Sequence, residues 1–131
     1  MEDIFIPYNT PSSKNGKRLI RKGLIINSKT VMKYKQLTHD DWTQNRDKFL
    51  SLLEGKTAPY QVRLYFVRNS RRKFDYINIA QIVFDLMQEY KWLPDDCADY
   101  VIPQFRGYKY DKIKPGVYIN VLDNEPDSWE P

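Results

Sequence analysis

Between Arg68 and Asp96 the chain crowds together the side-chain types that phosphate chemistry uses. Arg68, Arg71, Arg72 and Lys73 set four cations within six positions, and Asp75 follows at once. Asn78, Gln81 and Asp85 come next, and the pair Asp95-Asp96 closes the stretch. Cations attract a polyanion, and carboxylates within reach of it can fix a hard divalent cation such as Mg²⁺ or Mn²⁺ on oxygen ligands. Zinc chemistry finds no support, because His39 is the sole histidine and Cys97 the sole cysteine. One thiol makes no internal disulfide and fits a reducing cytoplasm; beside Asp96 it reads as a small buried residue rather than a nucleophile.

The elements that must position these groups follow from periodicity. At about 100° per residue, Ile79, Ile82, Val83, Leu86, Met87 and Tyr90 share one arc of a helix over residues 77 to 91. Asn78, Gln81, Asp85 and Glu89 fall outside it as a polar stripe, which in most surface helices is simply a solvated face. Asp75 stands where a carboxylate either caps the helix or holds a cation. A helix of about 15 residues spans ~22 Å. Asp95 and Asp96 therefore return toward Asp75 only if the next strand runs back beside the one before it.

From Asp75 onward the spacing resembles that of the RusA-like Holliday junction resolvases of phages and prophages, whose pattern is D-x-D-N-x-x-K, a helix carrying an Asp, then D-D. Asp75 matches the first Asp, Asn78 the Asn, Asp85 the helix Asp seven residues on, and Asp95-Asp96 the closing pair. Ile77 stands at the family's second Asp and Gln81 at its Lys. Ile6-Pro7 through Pro11-Ser12-Ser13-Lys14-Asn15 resembles the family's opening strand and P-P-S-x-N segment. The resemblance implies that Asp75 and Asp96 are metal ligands with Asp95 beside them as a third catalytic carboxylate, and that Asn78, Gln81 and Asp85 support them. Asp85 shares the polar stripe with Asn78 but lies two turns along, some 10 Å away. Gln81 can donate a hydrogen bond to a phosphate without bringing charge, and Arg72 or Lys73 is the candidate replacement for the family's cation.

Composition agrees with a nucleic-acid partner without requiring one. At 131 residues, 41% hydrophobic and 29% charged, the chain reads as one soluble domain with a substantial core. No run is long and apolar enough for a membrane span or a signal peptide, so a cytoplasmic protein is expected, and the resemblance implies a phage or prophage origin. Asp123 to Pro131 holds four acids and no base, so residues 1–122 carry 21 bases against 13 acids, a net +8. A basic body suits phosphate, although ordinary solubility charge explains the balance equally well. The nuclease domain is assigned to 1–122, and 123–131 is expected to be an acidic, disordered tail.

Taken in order, Asp3 to Tyr8 reads as a strand and Asn9 to Arg18 as a basic loop rich in turn formers. Leu19 to Ile26 reads as one strand, and Ser28 as the cap of a helix through Leu37. Thr38 and Asp41 predict the start of a second helix that Gly55 ends. Tyr34, between Lys33 and Lys35, is read first as packing. Tyr60 to Arg68 alternates and is the clearest strand. Tyr100 to Phe105 and Gly116 to Leu122 are two more, around a loop holding Arg106, Lys109, Lys112 and Lys114. The expected fold is α+β, a single RusA-like domain with a mixed sheet of about five strands and helices largely on one face.

The function these readings imply is a Mg²⁺- or Mn²⁺-dependent, structure-selective endonuclease for branched DNA such as four-way junctions, working as a homodimer. Lys14, Lys17, Arg18, Arg71, Arg72, Lys73, Lys109 and Lys112 are the candidate DNA contacts. Ile77 and Gln81 favour an alternative, a resolvase-like DNA-binding module without catalysis.

Overall fold

The computed structural model describes residues 3–13, 17–20, 24–27 and 29–123. In chain order the elements are β1 (Ile4–Pro7), β2 (Lys17–Ile20), β3 (Leu24–Asn27), α1 (Lys29–Gln44), α2 (Arg46–Leu52), β4 (Tyr60–Arg68), α3 (Tyr76–Glu89), β5 (Val101–Tyr110) and β6 (Gly116–Val121). The fold is α+β, with a four-stranded mixed sheet ordered β1-β6-β4-β5 and a separate two-stranded sheet, β2-β3. β6 is antiparallel to both β1 and β4, whereas β5 runs parallel to β4.

Alternation in the strands builds the core. Ile4, Ile119 and Leu64 stand opposite one another across three strands, as do Ile6, Val117 and Phe66, and all six are fully buried. They pack with the apolar arc of α3, where Ile79, Ile82, Val83, Leu86 and Met87 are all buried. Tyr90 is only partly buried and packs at the core's margin. Gly116 lets β6 approach β1, since a Cβ there would collide with the Phe5 ring and lie 2.5 Å from the Ile6 carbonyl oxygen.

Three expectations need correction. The strand expected over Leu19 to Ile26 is instead parts of two antiparallel strands, β2 and β3, paired with Leu19 opposite Ile25. No helix starts at Thr38. Its hydroxyl donates to the Tyr34 carbonyl at 2.7 Å and accepts from Trp42 Nε1 at 3.0 Å, so a residue that caps when exposed is satisfied inside a continuous α1. The break falls at Asn45 instead. β5 extends five residues beyond Phe105, taking Arg106 and Lys109 out of the expected loop; an edge strand with one open side accommodates such charges. Gly107, at φ +113°, sits where the β4-β5 register shifts between Leu64 and Phe66. Lys14, the proposed cap Ser28 and the tail after Asp123 lie outside the described residues, as do the side chains of Lys17 and Arg18. Among the described residues no helix is long and apolar enough to cross a membrane.

Candidate nucleic-acid interface

Two loops leave the same end of the sheet and are laced together. After β1, the Asn9 side chain accepts from the Asn69 backbone N–H at 2.9 Å, and the Thr10 carbonyl accepts from Arg68 Nη1 at 2.6 Å. Further on, the Ser13 N–H donates to the Asn78 carbonyl at 2.8 Å, which ties the loop to the first turn of α3. Burial lowers the pKa of the Arg68 guanidinium, partly offset by the neighbouring Tyr34. Tyr34 is itself a core residue whose phenol burial pushes well above its ordinary range.

Between these loops lies a groove of about 580 Å³. It is lined by Arg68, Arg72, Lys73 and Asp75 from the segment after β4, by Asn9, Pro11 and Ser12 from the segment after β1, and by Asn78 and Thr30. Among the described residues neither Arg72 nor Lys73 is held in an ion pair. Uncommitted cations in a concave, hydroxyl- and amide-lined groove suit a phosphate backbone, which such side chains contact without reading sequence. Asp75 precedes α3 in extended conformation and its side chain makes no capping bond; its Oδ2 accepts from Asn78 Nδ2 at 3.2 Å. A carboxylate thus faces the groove, oriented by its own amide partner.

The other acids lie elsewhere. β5 begins opposite Tyr60, at the far end of β4 from Asp75, so the chain from α3 delivers Asp95 and Asp96 beside Asp85. The Asp85 carboxylate accepts from Gln81 Nε2 at 2.8 Å, and Asp95 Oδ1 accepts from the Asp96 N–H at 2.7 Å. The Asp96 carboxyl is held above the ordinary range, chiefly by partial burial, then by its hydrogen bond with Asp95 and the negative charges of Asp85 and Asp95. Ten residues of helix put Asp85 ~15 Å from the Asp75 end. The sequence-predicted acids therefore divide into one at the groove and three further along α3. Among the described residues no group of three or more acids, histidines or cysteines is gathered to hold a metal ion. Asp75 with the Asn78 amide still suits one Mg²⁺, which takes one or two carboxylates and draws its other ligands from water and substrate phosphate. It does not suit a pair of metals.

Ile77, at the position of the resembled family's second acid, is 73% exposed and lines an apolar hollow with Phe74, Asp75, Tyr76, Asn78 and Phe105. Of the remaining candidates, Arg71 lies over the Tyr110 ring at 4.3 Å, Lys109 is exposed on β5, and Lys112 is exposed in the turn after it. Sequence reading missed Asn9, Thr30 and the rings Phe74, Tyr76, Phe105 and Tyr108. The one available signal was the alternation of rings and cations from Phe105 to Tyr110. No family model and no curated protein matches this chain.

Proposed function

We propose that this chain is a metal-dependent, structure-selective DNA endonuclease of the RusA-like kind, which holds the phosphate backbone of branched DNA in the groove between the loops that follow β1 and β4. The observation that carries the reading is that Asp75 lines the same groove as Arg72 and Lys73. That groove offers both the charge to hold a phosphate and a carboxylate in reach of it. Asp75, with the Asn78 amide beside it, would hold a hard cation there, which would supply a lowered pKa for an attacking water and offset charge on the leaving oxygen. The chain's own residues do the rest: Arg72 and Lys73 hold the backbone, and Asn78 fixes the Asp75 carboxylate. Two such sites on a twofold dimer would meet the paired strands of a four-way junction.

A second reading, binding without cleavage, rests on the exposed Ile77 and on the distance between Asp75 and the other acids. A junction assay with Mg²⁺ and with Mn²⁺ separates the two. Nicking by wild type that Asp75→Asn abolishes supports the nuclease. Salt-sensitive binding with no nicking under either metal supports the binding module.

A further inference from the structure

We propose that the outer half of β5 is a stacking platform for unpaired bases, so that the preferred nucleic acid carries a single-stranded stretch beside the phosphate groove. The inference rests on the nucleic-acid reading above and narrows its substrate. It starts from the sheet register. The row Ile4, Ile119, Leu64 continues onto β5 at Phe105, and the row Ile6, Val117, Phe66 continues at Tyr108. In each row the first three side chains are fully buried, but Phe105 is 38% and Tyr108 55% exposed. The face that elsewhere forms the core therefore emerges uncovered at this edge, and what emerges is aromatic.

The rings are already held in place. Phe105 is stacked on Tyr76 at 5.2 Å and 18°, and Tyr108 stands edge-on to Phe74 at 4.8 Å and 87°. Arg68 lies over Phe74 at 4.8 Å, and the exposed Tyr110 carries Arg71. Rings fixed by other rings lose little freedom when a base stacks on them, and every base offers a π-face whatever the sequence. The hollow lined by Ile77 and Phe105 shares Phe74, Asp75 and Asn78 with the phosphate groove, so base and backbone positions adjoin.

Charge selects the occupant. Arg68 and Arg71 lie over rings of this edge, Phe74 and Tyr110, and among the described residues neither is in an ion pair, while Arg106 and Lys109 project from the opposite face of β5. The local acid Asp111 already accepts from the Ile113 and Lys114 N–H groups. A second copy docked on this edge would bring the same cations face to face. A polyanion with exposed bases meets both the rings and the charge.

The test measures fluorescence anisotropy of the full chain with a labelled oligo-dT and with a blunt duplex of equal length, using wild type, Tyr108→Ala and Tyr108→Phe, with the mass of each protein determined in parallel. Tyr108→Ala is expected to weaken oligo-dT binding about tenfold while leaving duplex binding unchanged, and Tyr108→Phe to bind as wild type. An oligonucleotide carrying 2-aminopurine should be quenched by wild type and by Tyr108→Phe but not by Tyr108→Ala. Equal effects of Tyr108→Ala on both DNAs, or none, overturn the platform; if wild type still binds duplex, the groove reading stands. A change of mass on Tyr108→Ala with equal losses on both DNAs assigns the edge to a second copy and also overturns it. Wild type that binds neither DNA at low salt removes the groove reading and the platform together.

Discussion

At its N-terminal end α3 meets Arg72, Lys73 and one carboxylate, Asp75, while about 15 Å along the helix Asp85 accepts from Gln81 and lies within electrostatic reach of Asp96, which follows Asp95. The first end carries uncommitted positive charge in a concave groove. The second carries negative charge, and partial burial first, then Asp95 and Asp85, holds the Asp96 carboxyl partly against ionisation. A polyanion is drawn to the first and repelled by the second. In the proposed reading, this difference puts backbone binding at the groove and makes Asp75 the acid best placed to act on what is bound. The spacing of acids along the chain, read alone, treats all of them as one site.

The largest expected effect separates the two ends by activity. Asp75→Asn should lower Mg²⁺-dependent nicking of a junction on the order of 100-fold or more, with binding retained or tightened because a charge facing phosphate is lost. Asp96→Asn should cost less, and Asp85→Asn less again. Equal, complete losses for Asp75→Asn and Asp96→Asn would break the comparison by showing that the two ends act as one centre.

Binding gives the next effect. Arg72→Ala combined with Lys73→Ala should weaken junction affinity about tenfold and reduce the slope of log K against log salt by roughly two, one for each phosphate contact. Asp95→Asn should change neither. A double variant with an unaltered salt slope would move the backbone out of the groove.

The acid group predicts a pH dependence. The folded pKa of Asp96 lies above its unfolded value, so its stabilising contribution is complete below the unfolded value and is lost as pH rises through the folded one. Asp96→Asn should therefore raise Tm relative to wild type at pH 7 but not at pH 3, as thermal denaturation at the two values would show. A difference independent of pH contradicts the assigned strain.

The smallest effect concerns Ile77. Because its side chain is 73% exposed, Ile77→Asp should change stability by less than about 0.5 kcal/mol in denaturant unfolding. It should also raise Mg²⁺ affinity at the groove end, measurable by calorimetry. A destabilisation of several kcal/mol would place Ile77 in the core.

How much was legible in the sequence follows the range of each interaction. Tyr60–Arg68 and α3 announce themselves by alternation and by a helical apolar arc, since both faces are decided by local burial. The cations and Asp75 are neighbours in sequence and so remain neighbours in space. Thr38 misled because a hydroxyl that bonds the carbonyl four residues back looks, in sequence, like one that caps. The separation of Asp75 from Asp96 depends on β5 running parallel to β4, a pairing that no local pattern encodes. The aromatic edge was hidden for the same reason, because Phe74 and Tyr76 meet Phe105 and Tyr108 only through the sheet.

Titration of a labelled four-way junction with wild type, at low and moderate salt and then with Mg²⁺ added, tests the central claim most directly. The account predicts tight binding that falls steeply with salt, followed by nicking that Asp75→Asn removes. Failure to bind the junction at low salt would contradict it.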